Sequence, residues 1–512
     1  MTVDDSMTQR HSDEEPLVEI QLDRDSAQDG EDAAAYQCAV CQLAFPAQDV
    51  YESEGSIICT ACWNRAQSAA AGAGGNKAAS APPPRPRPPA RAPLLARITC
   101  PHCWHKFLPQ DILWIASHGE LIGDPVAGPD ASLRFLPSSF TADGAARDAR
   151  GLVCQSLACP NCHLIIPRPL VEIEPLFISI VGVASSGKSF FLSAMTWELR
   201  RLLPLHFGVS FSDAQPTFNR ALNQQEEALF LPADPDRPVK LDKTETAGPL
   251  MYDQVRLGDQ NVSLPRPCLF TMRPSGKHPN ADYAAHLARV VALYDNAGEH
   301  FDPGADSAST PLTRHLGFSR VLMFVYDLTQ DPRFRARCRG LSADPQLDEQ
   351  FPTRRQETIL IETANRVRHF AGLPAGKPVN RPLVVVIPKA DVWGKLADLD
   401  LSKEPIVANC VANQTLAGVD LDRVESVSKI VRKLLLGIAP EFVAGAEEFS
   451  SNVVYIPISA LGISPEIIGG RPGLWVRPSQ LKPQWVTVPF LYMFARWTHD
   501  VIARVRWQRN KN

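Results

Sequence analysis

The sequence predicts an α/β protein whose main part is a mostly parallel sheet with helices on both faces, preceded by two small cysteine-stapled units. Three observations carry this expectation. From Leu176 onward, short β-branched runs alternate with helix-period segments, the pattern of parallel strands joined by crossover helices. Upstream, eight of the twelve cysteines fall into four Cys-x-x-Cys pairs. Finally, 45% apolar and 21% charged residues make a composition able to fill a sizeable core.

The 512 residues have room for about two to four domains. The expected divisions are an acidic tail at 1–35, a cysteine-rich unit at 36–65, a linker at 66–96, a second cysteine-rich unit at 97–172 and the α/β domain at 173–512. The tail carries eleven Asp/Glu against Arg10 and Arg24, so it cannot bury enough surface to offset its ordering entropy and reads as a disordered, solubilising segment. The linker holds AAAGAGGNKAASAPPPRPRPPARAP; proline lacks a backbone donor, and small residues give nothing to pack. Net charge is only −4, which points to neither a nucleic-acid binder nor a polyanion mimic. No apolar run approaches the ~20 residues that span a bilayer, and a cytoplasmic location is expected.

In the first unit, Cys38 and Cys41 are separated from Cys59 and Cys62 by 17 residues. Phe45, Val50, Tyr51, Ile57 and Ile58 between them read as a short hairpin. Each Cys-x-x-Cys turn lets two thiolates converge, and two such turns supply the tetrahedral sulfur shell that Zn²⁺ prefers. The second unit repeats the arrangement with Cys100, Cys103, Cys159 and Cys162, now 55 residues apart, with a partly β insertion at 113–140. Two structural zinc sites, each a zinc ribbon, are therefore expected. Cys154, His102, His105 and His163 lie close in sequence and read as bystanders; Cys268, Cys338 and Cys410 read as reduced, buried thiols. Ribbons present a surface to a partner. Arg85, Arg87, Arg91 and Arg97 are basic but lack the interleaved aromatics of a stacking platform, so an unidentified protein partner is preferred over nucleic acid.

The stretch PLFISIVGVASSGKSFFLSAM places an apolar strand, then Gly182-Val-Ala-Ser185-Ser186-Gly187-Lys188-Ser189, then a helix-period run through Phe190, Phe191, Leu192, Met195 and Leu199. This is a phosphate-binding loop in its required context. Its backbone N–H groups cradle a phosphate at the positive end of the helix, Lys188 reaches the outer phosphates and Ser189 offers its hydroxyl to Mg²⁺. Downstream, strand 289–294 ends in Asp295-Asn-Ala-Gly298-Glu299-His300, a place for a Mg²⁺-side carboxylate and a glycine near the last phosphate. Strand 321–326 leads to Asp327. Strand 383–387 ends in Pro388-Lys389-Ala390-Asp391; a carboxylate can accept from guanine N1 and N2, and a lysine stem can cover the base. Strand 453–458 leads into Ser459-Ala460-Leu461, whose N–H groups suit guanine O6. Segments 356–370 and 424–436 have helical periodicity, and a last helix with Phe490, Phe494, Trp497, Val501 and Val505 on one stripe is expected to pack on the sheet.

GVASSGKS, DNAGE, PKAD and SAL, in this order and these strand contexts, resemble the TRAFAC-class, Ras-like P-loop GTPases over 176–512. The pairing with CPxC ribbons also looks like GTPase-like proteins of bacterial conflict and signalling gene clusters, which implies a regulator working with proteins encoded nearby. The resemblance implies GTP and GDP as ligands, Mg²⁺ at Ser189 and Asp295, and a switch threonine, for which Thr244 and Thr246 are candidates. It implies catalytic roles for Lys188, Thr246 and the pair Glu299 and His300. Two departures stand out. Pro388 occupies the position where relatives place a polar residue that ties the base motif to the phosphate loop, which weakens the inference of guanine selectivity. Glu299 stands where many relatives place a water-orienting Gln, so slow hydrolysis is expected. Alternatives are a non-hydrolysing nucleotide-binding adaptor, an ATP-specific switch and a zinc-ribbon nucleic-acid binder.

Overall fold

The computed structural model describes residues 94–240 and 251–505, apart from 277, 303, 305–310, 339, 375, 412, 413, 472, 499 and 500, together with four short strands within 35–59. The chain divides into two compact units, Met1–Arg87 and Pro88–Asn512. In the first, Ala35–Gln37 pairs with Ala44–Pro46 and Val50–Ser53 with Ser56–Cys59, both antiparallel. Of the residues expected to form one hairpin, Val50, Tyr51, Ile57 and Ile58 lie in the second pair, whereas Phe45 lies in the first, opposite Tyr36. Of the four cysteines expected to form the first zinc site, Cys38, Cys41 and Cys62 lie outside the described residues, and Cys59 ends the strand Ser56–Cys59.

The larger unit is built on seven strands: β1 (Pro175–Val181), β2 (Val209–Asp213), β3 (Cys268–Pro274), β4 (Arg289–Asp295), β5 (Val321–Val325), β6 (Leu383–Ile387) and β7 (Val453–Pro457), in the spatial order β2-β3-β4-β1-β5-β6-β7. The run from β4 to β7 is parallel throughout. At the other side, β3 lies antiparallel to both β4 and β2, an edge that the apolar runs did not announce. All five residues of β5 and of β6 are buried, as strands covered on both faces must be.

Among the described residues, the helices of ten residues or more are α1 (Lys188–Leu202), α2 (Arg220–Phe230), α3 (Gln356–Phe370), α4 (Leu421–Leu436), α5 (Pro440–Phe449) and α6 (Val488–Trp497). Helix α4 starts three residues before its periodic run because Asp420 caps it, accepting from Arg423 N–H at 3.0 Å. Helix α6 corrects the sequence expectation. Its residues 488–495 are buried on every side, so it is a core helix rather than an amphipathic one. It stops at Trp497, where Thr498 turns extended, and Val505 lies instead in a two-residue strand beside Gln414–Asp420. Within α6 and just beyond it, Phe490, Phe494 and Val501 do enter the main core. Among the described residues, no helix is long and apolar enough to cross a membrane.

The two faces of β4 are covered differently, by the period-two alternation of a strand. Val291 and Leu293 join the helix-covered core. Val290, Ala292 and Tyr294 join a second core with Phe177 and Leu269, filled by Ile98, Cys100, Trp104, Cys159, Cys162 and Ile166 of the cysteine-bearing segment and by the hairpin Tyr252–Leu257/Gln260–Pro265. That segment is thus a covering layer of the sheet.

Candidate functional site

β1 delivers the chain to a tight loop in which Ser185 and Gly187 have φ of 62° and 91°. The left-handed conformation costs a serine more than a glycine, and such residues cluster where a loop is shaped for a ligand. Gly182 has no room for a side chain, since a Cβ there would lie 2.7 Å from the Val325 carbonyl oxygen. α1 begins at Lys188, whose buried Nζ donates to the carbonyls of Gly182 at 2.9 Å and Val183 at 3.0 Å. Burial pushes this ammonium down, while the charges of Asp295 and Glu299 pull it back up. Ser186 Oγ is buried with no hydrogen-bond partner. A 15-residue helix presents its positive end and free N–H groups to this loop, which suits phosphate.

The end of β4 brings Asp295 alongside. Its carboxyl accepts from the Ser189 side chain, and burial pushes its pKa up to about 6 against the pull of Lys188. Asp295 Oδ1 is buried without a partner. An unpaired carboxylate oxygen beside a seryl hydroxyl, in reach of bound phosphate, is a donor set that fits Mg²⁺. Gly298 packs against the phosphate loop itself: a Cβ there would sit 2.2 Å from Ala184 N. Glu299 borders the same space. His300 Nδ1 lies 3.1 Å from the Tyr252 hydroxyl, and Arg366 donates to the His300 carbonyl at 2.6 Å. Thr244 and Thr246 lie outside the described residues.

From the other side, β6 ends at Ile387 and Lys389 turns left-handed, with φ of 60°, throwing Asp391 into a short helical turn. Burial raises the Asp391 pKa, and a hydrogen bond from the Ser459 hydroxyl opposes the rise. Ser459 also accepts from Gly462 N–H at 2.8 Å. A cavity of about 410 Å³ joins these parts. It is lined by residues 184–190, by 297–299, by Pro388, Lys389 and Asp391, and by Ala460 and Leu461. Its volume lies within the range of small-ligand sites.

The sequence did not single out several residues that line this cavity. Phe351, Ile463 and Leu474 supply apolar wall, and Lys240, Asp344 and Gln346 supply polar groups. Lys240, Asp344, Gln346 and Phe351 lie in stretches that no motif marks. Val239 pairs with Val476, and it is this long-range bridge that carries Lys240 to the rim. Tyr252 was equally unmarked; it is the first residue of the hairpin and reaches the DNAGE loop only through tertiary packing.

Cys100, Cys103, Cys159 and Cys162 form a buried cluster whose sulfurs all lie within 4.8 Å of one another. The two turns that carry them are built alike. Trp104 and His163, each following the second cysteine of its pair, have φ of 58°. Each donates its N–H to the carbonyl of the first cysteine, at 3.1 and 3.0 Å. The N–H groups of His102 and Asn161 point at Cys100 and Cys159 sulfur, both at 3.4 Å. Four thiols this close cannot all ionise without a cation between them, and the set fits Zn²⁺. His102 bonds instead with the Pro265 carbonyl, His163 with Asp124, and Cys154 with the Leu152 carbonyl; His105 is exposed beside Phe107. Cys338 is buried and Cys268 only partly so.

This cluster touches the strand that ends in Asp295. Trp104 Nε1 donates to the Tyr294 hydroxyl at 3.1 Å, and that hydroxyl donates to the Pro101 carbonyl at 2.6 Å. The Tyr294 ring stacks on His315, 4.6 Å between centroids, and burial holds that imidazole neutral, down to about 3.

No protein-family model matches the chain, and no curated protein matches it. Among solved structures it is similar to sup35 complexed with GDP (TM-score 0.20, 14% identity, 58% of this chain and 39% of that one). It is also similar to sup35 complexed with GMPPNP (0.19, 13%, 56% and 38%). A third is the GTPase-like domain of S. cerevisiae Ski7 bound to GTP (0.22, 11%, 59% and 48%). The chain spans less than half the length of each. At such scores these likenesses say nothing of what this chain binds.

Proposed function

We propose that the cavity is a Mg²⁺-dependent guanine-nucleotide site and that the protein is a GTP-binding and hydrolysing switch. One observation carries this reading: four segments far apart in sequence border one continuous space, through residues 184–190, residues 297–299, Pro388 with Lys389 and Asp391, and Ala460 with Leu461. The loop and the end of α1 would hold the phosphates, with Lys188 exchanging its carbonyl partners for phosphate oxygens. Ser189 and Asp295 would hold Mg²⁺, which supplies neutralising charge on the phosphates. At the far end, Asp391 would accept from guanine N1 and N2 while Lys389, Pro388 and Leu461 enclose the ring. Gly298 N–H would sense the third phosphate. Loss of that phosphate would remove the restraint on the Gly298 N–H and let the DNAGE loop move, which is the physical basis for a switch.

Glu299 beside the reacting phosphate adds negative charge where charge already accumulates, so turnover should be slow. It also favours a second reading, a nucleotide-binding adaptor that does not hydrolyse. The four-thiolate cluster would hold a structural zinc that keeps the covering layer folded, and the cysteine-rich units would receive a protein partner encoded nearby. Phosphate release from GTP by the protein and by Lys188→Ala separates the two readings. Slow release abolished by the substitution supports a GTPase; none from either supports the adaptor.

A further inference from the structure

At the carboxyl end of β5 the chain places a fully buried carboxylate, Asp327. Its acceptor sites are all taken. Oδ1 receives the Thr329 N–H at 3.0 Å and hydroxyl at 2.8 Å; Oδ2 receives Lys389 Nζ at 2.5 Å and Gln330 Nε2 at 3.3 Å. Gln356 clasps the same residue by its backbone, accepting from Asp327 N–H at 2.8 Å and donating to its carbonyl at 2.7 Å. Lys389 spends its other protons on Thr329 Oγ1 at 3.0 Å and Gln346 Oε1 at 2.9 Å. With all three protons committed, the ammonium serves a ligand through its stem and its position.

The second Nε2 proton of Gln330 goes to the Ala184 carbonyl, at 3.0 Å. Ala184 is also the residue whose nitrogen Gly298 packs against. An unbroken line of hydrogen bonds therefore runs from Lys389 through Asp327 and Gln330 to the phosphate loop, and a steric contact continues it to the DNAGE loop. Pro388 has no polar side chain with which to make such a link. Gln330 is buried, and its Oε1 has no partner. Filling space alone would not call for an amide whose own oxygen goes unsatisfied, so the glutamine is explained by what its two donors join.

We infer that Gln330 is a positioning residue that couples the base side of the cavity to the phosphate loop through Asp327. A base seated correctly over Lys389 and Asp391 then tightens the grip on the phosphates. Buried, charge-assisted bonds of this kind are stiff enough to transmit such a restraint. The inference rests on the guanine-nucleotide reading above.

The test is a titration of the full chain with GTP and ATP in Mg²⁺, for wild type, Gln330→Leu, Lys389→Met and the double variant, with melting temperatures alongside. Losing the link should cost Gln330→Leu about 5- to 30-fold in GTP affinity, with little change for ATP, so that the GTP-over-ATP ratio shrinks while the melting temperature holds. The double variant should lose little more than either single one, because both act through Asp327. Should the leucine variant misfold, Gln330→Met, which keeps the length of the side chain and removes both donors without adding a charge, must show the same collapse of selectivity. A wild-type GTP preference that survives in these variants, or additive losses, would overturn the link alone. A wild type without GTP preference would overturn the nucleotide reading and the link with it.

Discussion

Replacing Gly298 with alanine adds one methyl group at the closest approach of two loops. That Cβ would stand 2.2 Å from Ala184 N, 2.5 Å from the Val183 carbonyl carbon and 2.8 Å from Ala184 Cα. All three are backbone atoms, so no side-chain rotation can relieve the overlap. Reaching even 3.0 Å, below which real Cβ contacts are essentially absent, requires 0.8 Å of movement by one loop or the other. On the nucleotide reading, each charge-assisted hydrogen bond to a phosphate that this movement breaks costs about 1.5–3 kcal/mol, or about 10- to 150-fold in binding. Overpacking of this kind also destabilises by about 1–3 kcal/mol. The assay is a fluorescent GTP-analogue titration in Mg²⁺ beside a thermal melt. Gly276→Ala is the matched control, since a Cβ at that position meets nothing within 4 Å. A Gly298→Ala protein that binds within about two-fold of the Gly276→Ala control would refute the claim that these loops share one site.

Two further outcomes are expected. Burial holds the folded pKa of Asp295 near 6, above its ordinary 3.8, so in nucleotide-free protein the folded state binds this proton more tightly than the unfolded one. Its contribution to stability is then greatest below 3.8 and falls as pH rises toward about 6. Asp295→Asn should flatten that slope in urea unfolding, raise stability at neutral pH and abolish Mg²⁺-dependent nucleotide binding; a slope that persists would contradict the assignment. Cys159→Ser should lower bound zinc by about one equivalent by metal analysis. It should also weaken nucleotide binding, because the cysteine turns hold Trp104 against Tyr294, one residue before Asp295. Unchanged zinc would remove that site from the account.

The parts legible in the sequence were those whose physics is local. GVASSGKS announces itself because a strand, glycines and a helix start must be contiguous to hold a phosphate. β4, β6 and β7 were visible as apolar runs, and Asp295, Asp391 and Ser459 followed from where those strands end. Asp327 was seen only as the end of a strand, and Gln330 not at all. Their meaning lies in bonds to Lys389 and Ala184, 62 and 146 residues away. The cysteine turns were legible, but not the face they cover, since Tyr294 and Trp104 meet across 190 residues. Val505 was drawn into the last helix because apolar spacing continued past Trp497; periodicity does not register a chain that turns extended at Thr498.

The most direct test of the central claim is a titration of zinc-loaded protein with GTP, ATP and xanthosine triphosphate in Mg²⁺, repeated on Asp391→Asn. Guanine offers two N–H donors to a carboxylate, whereas xanthine replaces the amino group with a carbonyl that an asparagine amide can meet. The account predicts preferential GTP binding by the wild type, lost in the variant and replaced by xanthosine triphosphate. Equal or better binding of ATP, unaffected by the substitution at Asp391, would contradict it.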